Sequence, residues 1–282
     1  MMLSINITPF GDTKKDTEFL SILKESGFKN VGIEFNKTDL IKNDDWKEKA
    51  NALNDALKAT EMAVSSAHLY HYPLDVGVSI KYDDIEEYIK RSVQASFIIG
   101  APFIVAHPRS SIDQGFSYEV AAKHNKEDFL PILESAIKNG AKLLFENMPV
   151  FPDFPGHRYF SSKPDEFSKF IDSFDSEAVG VCWDVGHAHM LLDEDEFGYL
   201  KQVGQRIKLI ELNNNWIRYD SHMLPSCGSI DWNAFASTVK EINFTGDLVI
   251  DSKPAKVPEI AEAYYTHAFD CAKVIKERID KA

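Results

Sequence analysis

The run Val181-Cys182-Trp183-Asp184-Val185-Gly186-His187-Ala188-His189 holds the densest chemistry in this sequence. An apolar segment ends in an acid, and a histidine follows three residues later. A hard carboxylate oxygen and an imidazole nitrogen leaving one strand end together suit a divalent metal. The arrangement recurs: other β-rich apolar runs end in Glu34, His68, His107, Glu146, Glu211 and Asp251, with the pair Asp220 and His222 in a later loop. Turn residues such as Gly, Pro, Ser and Asn ordinarily dominate such places. Clustered carboxylates repel one another unless a cation lies among them. The expected primary ligands are therefore Glu146, Asp184, Glu211 and Asp251, and four carboxylates favour Mg²⁺ or Mn²⁺, with Zn²⁺ the softer alternative. His187, Asp220 and His222 form a candidate second metal or substrate site, since Asp220 and His222, two apart, point the same way in an extended loop. His68, His107 and Arg158 are candidate substrate-binding residues. The plainer alternative for the two histidines is pairing with neighbouring strand-end acids. His71, His124, His157, His189 and His267 read as ordinary histidines. Arg109 is a candidate anion contact, and Trp183, Trp216 and Phe151 are candidate stacking surfaces for a sugar, with packing the simpler role for Trp183.

Such groups need a scaffold that brings strand ends together. Strand-like runs fall at Leu3–Ile7, Asn30–Phe35, Met62–His68, Phe103–His107, Lys142–Glu146, Val179–Asp184, Ile207–Leu212 and Leu248–Asp251. Most are short and continuously apolar, as in parallel strands buried on both faces. Between them lie helical periodicities, such as Ile85, Tyr88, Ile89, Val93 and Phe97 on one face. Asn139-Gly140 is a helix stop, Ser162-Lys163-Pro164 a helix entry, and Asp231 an N-cap. The acidic run Asp193–Glu196 opens another helix, where anions complement the dipole, and a last helix runs from Pro258 to Ile279. Eight strand–helix repeats leave two choices, a (β/α)8 barrel or a long doubly wound sheet. The turn Thr8-Pro9-Phe10-Gly11-Asp12 has one glycine where a dinucleotide-binding sheet needs several. The expected fold is α/β, a single (β/α)8 TIM barrel forming one domain over 1–282.

The 282 residues carry 31 Lys plus Arg against 44 Asp plus Glu, a net charge of -13. So acidic a chain repels phosphate backbones, and no nucleic-acid partner is expected. Three scattered cysteines argue against a disulfide framework or zinc finger and fit a reducing cytosol. No secretion signal or membrane-length apolar run is evident, so a cytoplasmic location is expected. A homo-oligomer is compatible with all of this.

In order along the chain, Ser66-Ala67-His68, Val105-Ala106-His107-Pro108, Leu144-Phe145-Glu146-Asn147, the run from Gly180 to Ala188, Asp220-Ser221-His222 and Gly228-Ser229-Ile230-Asp231-Trp232 resemble the xylose isomerase-like TIM barrels. That superfamily includes sugar isomerases and epimerases and also endonuclease IV. The resemblance implies a metal held by Glu146, Asp184 and the acids of strands seven and eight, with Glu146 and Asp251 as catalytic acid/base groups. Two positions depart from the superfamily's usual pattern: Glu211 stands where a histidine commonly ends strand seven, and Asp251 where a glutamate commonly ends strand eight. The expected function is a divalent-metal-dependent isomerase or epimerase acting on a sugar, or a sugar-derived polyol or keto compound, by carboxylate-mediated proton transfer. The alternatives are an endonuclease IV-like phosphodiesterase, for which His68, His107, Glu146, Asp184, His187, Asp220 and His222 would match a zinc cluster, a dehydratase or lyase on the same scaffold, and a non-catalytic binding barrel.

Overall fold

The computed structural model describes residues 1–71, 83–109, 117–150, 159–191, 195–252 and 257–282. Eight parallel strands close into a barrel in sequence order: β1 Leu3–Ile7, β2 Asn30–Glu34, β3 Ala63–His68, β4 Phe103–Ala106, β5 Lys142–Glu146, β6 Val179–Asp184, β7 Ile207–Leu212 and β8 Asp247–Ile250. The seam is a β1–β8 pairing in which Leu3 faces Leu248 and Ile5 faces Ile250. Around it lie α1 Thr13–Glu25, α2 Trp46–Thr60, α3 Asp83–Ile98, α4 Tyr118–Lys138, α5 Pro164–Asp172, α6 Val185–His189, α7 Glu196–Val203, α8 Trp232–Glu241 and α9 Ala261–Lys281. The expected (β/α)8 barrel is the fold, and each expected strand lies within one residue of its place at either end. No helix among the described residues is long and apolar enough to cross a membrane.

Strand alternation sorts the side chains. Val105, Leu144, Cys182, Leu209 and Val249 form their own buried cluster. Each stands two residues before His107, Glu146, Asp184, Glu211 and Asp251, so each pair shares one face of its strand. The cluster fills the barrel and the polar residues stand above it at the C-terminal rim, where barrels of this kind build their sites. The outward-facing residues pack under the helices. Phe145 meets Phe129 and Phe170 edge-on at centroid distances of 5.0 and 4.9 Å, and Phe170 in turn meets Phe160 at 4.9 Å. Fully burying such a ring contributes roughly 1.5–3 kcal/mol from area alone.

Some local expectations are revised. Pro164 does open α5, but Ser162 caps nothing: its hydroxyl donates back to Tyr159 O at 2.7 Å within a 3-10 turn. Asp231 does cap α8, accepting from the amides of Asn233 and Ala234. Glu196 opens α7 behind an Asp195 cap, while Asp193 and Glu194 lie outside the described residues. Pro258–Ile260 is a 3-10 turn, and α9 proper starts at Ala261.

Candidate metal centre at the barrel mouth

Asp184 ends β6 and also starts α6. Its Oδ1 accepts from the His187 amide at 2.7 Å, a cap that turns the chain so that the His187 ring faces the barrel axis. Asn147, directly after β5, clasps the Asp184 backbone on both sides: Asp184 N donates to its Oδ1 at 2.7 Å, and its Nδ2 donates to Asp184 O at 2.9 Å. Asn213, just after β7, donates to Asp184 Oδ2 at 2.7 Å. Gly186 makes that approach feasible, because a Cβ there would lie 1.7 Å from Asn213 Oδ1. Both carboxylate oxygens of Asp184 are thus oriented by donors, as a metal ligand requires of its surroundings.

From Asp184 the groups run around the mouth. His187 Nδ1 is 2.9 Å from Glu146 Oε1 and equally close to Asn147 O, and its Nε2 is 3.4 Å from Asp220 Oδ2. Asp220 Oδ2 is 3.0 Å from His222 Nε2, whose other nitrogen is 2.9 Å from Asp251 Oδ2. On the far side His107 Nε2 is 2.8 Å from Glu146 Oε2, and His68 Nε2 is 2.9 Å from Glu211 Oε1. These residues, apart from Asp184, Asn147 and Glu211, line a cavity of about 160 Å³ together with Glu34, Lys37 and His71. A larger groove of about 380 Å³ runs between α3 and α4, but it gathers no comparable set of donors, so chemistry marks the smaller cavity as the site.

Four sets of donor atoms each lie within 4.8 Å of one another: His68/His107/Glu146, Glu146/Asp184/His187, His187/Asp220/His222 and Asp184/His222/Asp251. That spread suits ligands about 2.0–2.4 Å from a shared ion. Asp220 Oδ1 and Asp251 Oδ1 are buried without a hydrogen bond, a costly state that a cation would relieve. The donors fit a divalent metal, and their mixture of imidazole and carboxylate is softer than the expected all-carboxylate ring. Glu211 stands outside all four sets. It is fully buried, and its Oε1 accepts from Asn6 at 2.8 Å besides meeting His68, so the geometry groups it with second-row contacts to the strand-three histidine.

Burial and mutual repulsion set the charges. Burial pushes Asp184 up to about 7 against the pull of His187, and it pushes Glu34 to about 7 with Asp251 adding to the rise. Burial opposes charge on His222 too, but Asp251 and Asp220 override it and hold the ring up at about 12. His68 is likewise held at about 10 by Glu211 in spite of its burial. Asp251, although buried, is kept well below the usual carboxylate range by Lys37 and His222.

Several residues here were not anticipated. Asn147 and Asn213 are recognisable only as polar residues following strand ends, although the triplet Asn213-Asn214-Asn215 was a visible signal. Lys37, three residues after Glu34, places its ammonium 2.5 Å from Glu34 Oε1 and 3.9 Å from Asp251 Oδ1. His71 stacks on His107 with centroids 4.6 Å apart, and burial drives it down to about 3, so it stays neutral. Arg109 is turned away from the mouth into an ion pair with Asp128 at 2.9 Å. Trp183 is buried as packing, and Trp216 is 64% exposed. Arg158, His157 and Phe151 lie outside the described residues.

A closed eight-stranded barrel with acids and imidazoles converging at its C-terminal rim defines the class as a TIM barrel with a candidate metal site. The sequence profile of the xylose isomerase-like TIM barrel matches residues 20–273. The chain belongs to that family. An uncharacterized protein of Methanocaldococcus jannaschii is 22% identical over 250 residues, covering 86% of this chain and 89% of its own length. An uncharacterized protein of Sinorhizobium fredii is 22% identical over 196 residues, and the match spans 61% of that relative's length. Among solved structures, a D-tagatose 3-epimerase-like protein superposes with a TM-score of 0.74 at 17% identity, covering 100% of this chain and 99% of the other. The 3-keto-D-glucoside 4-epimerase of E. coli gives 0.71 at 16% over 97% and 99%. The IolI protein with a bound zinc atom gives 0.71 at 18% over 100% and 99%. At these identities the likeness is one of fold.

Proposed function

We propose that the protein is a cytoplasmic, divalent-metal-dependent isomerase or epimerase acting on a sugar, or a sugar-derived polyol or keto compound. The observation that carries this reading is that Glu146 and Asp251 line one cavity from different strands, each flanked by imidazoles. The epimerases among the solved structures of this fold add support. Glu146, Asp184, His187 and Asp251 would hold the metal, with Mg²⁺, Mn²⁺ or Zn²⁺ admissible. Bound there, the metal supplies Lewis acidity that lowers the cost of negative charge on a substrate carbonyl oxygen.

The chain's own groups supply the rest. One of Glu146 and Asp251 takes the proton from the carbon beside the carbonyl and the other returns one. His107 and His187 steer Glu146, while His222 and Lys37 steer Asp251. His68 and neutral His71 offer hydrogen bonds to hydroxyl groups. The test is proton exchange into D-tagatose and D-psicose in D₂O, followed by NMR with and without added Mn²⁺. Metal-dependent exchange beside the carbonyl is expected. Undiminished exchange by thoroughly demetallated protein, or none with a broad panel of ketoses and sugar-derived keto compounds, overturns the reading.

One observation favours a second reading. The overlapping His68/His107/Glu146 and His187/Asp220/His222 sets suit several softer ions, as a metal-cluster phosphodiesterase would need. Three zincs per chain by elemental analysis, with cleavage of abasic-site DNA, would reverse the order. The charge of -13 weighs against that outcome.

A further inference from the structure

Outside the cavity at the barrel mouth, α6, α7 and the loop after β7 bring together a serine, a histidine and a glutamate. His189 Nε2 lies 2.8 Å from Ser229 Oγ, and His189 Nδ1 lies 2.6 Å from Glu196 Oε2. A carboxylate only accepts, so Nδ1 carries the hydrogen, and in the neutral ring Nε2 is the acceptor facing the serine. This is the polarity that serine hydrolysis requires, with the acid fixing the tautomer and the ring ready to receive the hydroxyl proton. The exposures suit the roles: Ser229 is exposed, while the side chains of His189 and Glu196 keep only 10% and 17% of their accessible area. Ser229 Oγ can also donate to Asn215 O at 3.2 Å, a longer contact that competes with His189 for the one hydroxyl proton. The Ser229 amide is occupied by Asn215 O and that of Ile230 by Asn214 Oδ1. Developing negative charge therefore finds little stabilisation from the amides beside the serine, and turnover should be slow.

We propose that Ser229, His189 and Glu196 form a second reactive site, one that accepts the acyl group of small activated esters. Ser229 Oγ attacks the ester carbonyl carbon and its proton passes to His189 Nε2. The carbonyl carbon's bond to the leaving oxygen then breaks, and that oxygen departs with the proton from His189. Water repeats the sequence on the acyl-serine, releasing the carboxylic acid and restoring the hydroxyl. Ser229 is exposed, so selectivity is for reactivity and small size.

The experiment treats the full-length protein with a fluorophosphonate probe and with p-nitrophenyl acetate, and maps adducts by peptide mass spectrometry. A single adduct on Ser229 is expected, absent from Ser229→Ala. His189→Gln should slow both labelling and phenolate release about 100-fold, the usual scale for loss of a positioned base. Circular dichroism checks that each variant is folded. An unlabelled Ser229 in folded wild type, or labelling that ignores His189→Gln, overturns the proposal and leaves the three residues as a hydrogen-bonded tie between α6 and the loop. This site shares no residue with the cavity at the barrel mouth, so its test stands whatever reaction that cavity runs.

Discussion

Asn213 and Asp184, at the ends of adjacent strands, are locked 2.7 Å apart by an amide-to-carboxylate hydrogen bond, with the amide oxygen of Asn213 filling the space above Gly186 where a side chain would begin. The glycine of Asp-x-Gly-His is therefore a spatial requirement of the candidate metal centre, since any larger residue pushes Asn213 off Asp184.

Gly186→Ala tests this directly. Overpacking of this kind costs about 1–3 kcal/mol, and a displaced outer contact costs roughly 10–100-fold in metal affinity. Urea melts and Mn²⁺ titrations of the variant should register both. Wild-type metal affinity in a folded Gly186→Ala protein would refute the coupling.

Metal should stabilise the fold, because the clustered donors exist only in the native barrel. A hundredfold excess of metal over Kd contributes about 2.7 kcal/mol. Differential scanning calorimetry of chelator-stripped protein should show Tm rising on addition of Mn²⁺ or Zn²⁺. Glu146→Gln, which lies in two of the four donor sets, should abolish most of that rise. An unchanged Tm at millimolar metal would count against the centre.

The pH dependence follows from the raised carboxyls. Asp184 and Glu34 are pushed to about 7 by burial, from ordinary values of 3.8 and 4.5. Between those limits the native state keeps protons that the unfolded chain has released, so stability falls as pH rises through the window. His68, held up at about 10 by Glu211 against its burial, extends the trend. Its contribution is complete below about pH 6.5, the ordinary histidine value, and is lost as pH rises through about 10. The carboxyls held low, Glu146, Asp220 and Asp251, act only under strongly acidic conditions, where stability is lost as pH falls. His71, driven down to about 3 by burial, partly offsets the two raised acids below about pH 6.5. Metal-free protein should therefore show urea midpoints that decline from pH 5 to pH 9, and saturating divalent metal should flatten the decline. A flat profile without metal would show that these groups are not charged as described.

The outer core is a separate target. Phe170 is fully buried among Phe145, Phe160 and Phe174. Phe170→Ala should cost about 3–5 kcal/mol with metal affinity retained, measured by denaturant unfolding alongside Mn²⁺ titration. Loss of metal binding in a still-folded variant would mean that barrel wall and rim are less independent than their packing implies.

The barrel could be read because most strands are short, largely apolar runs with an acid or histidine at or beside the C-terminal end. Glu146, Asp184, His187, His222 and Asp251 were legible for the same reason. In a closed parallel barrel, all C-terminal ends converge on one rim. Partnerships across strands were not legible. Nothing local to Asn213 says that it will meet Asp184, and Glu211 looks like any strand-end ligand until Asn6 and His68 are seen to hold it. Ser162 failed as a cap because a 3-10 turn reached its hydroxyl first, a competition that sequence pattern does not encode.

Lys37 imposes a ranking on the donors. A permanent ammonium beside Asp251 and Glu34 is a resident competitor, already neutralising one quadrant of the mouth before any divalent ion arrives. The set Asp184/His222/Asp251, which contains its neighbour Asp251, must recruit an ion against that repulsion. Removing that charge should then strengthen divalent binding at the strand-eight side. In calorimetric titration, Lys37→Met should bind Mn²⁺ more tightly than wild type, and an unchanged affinity would refute the competition.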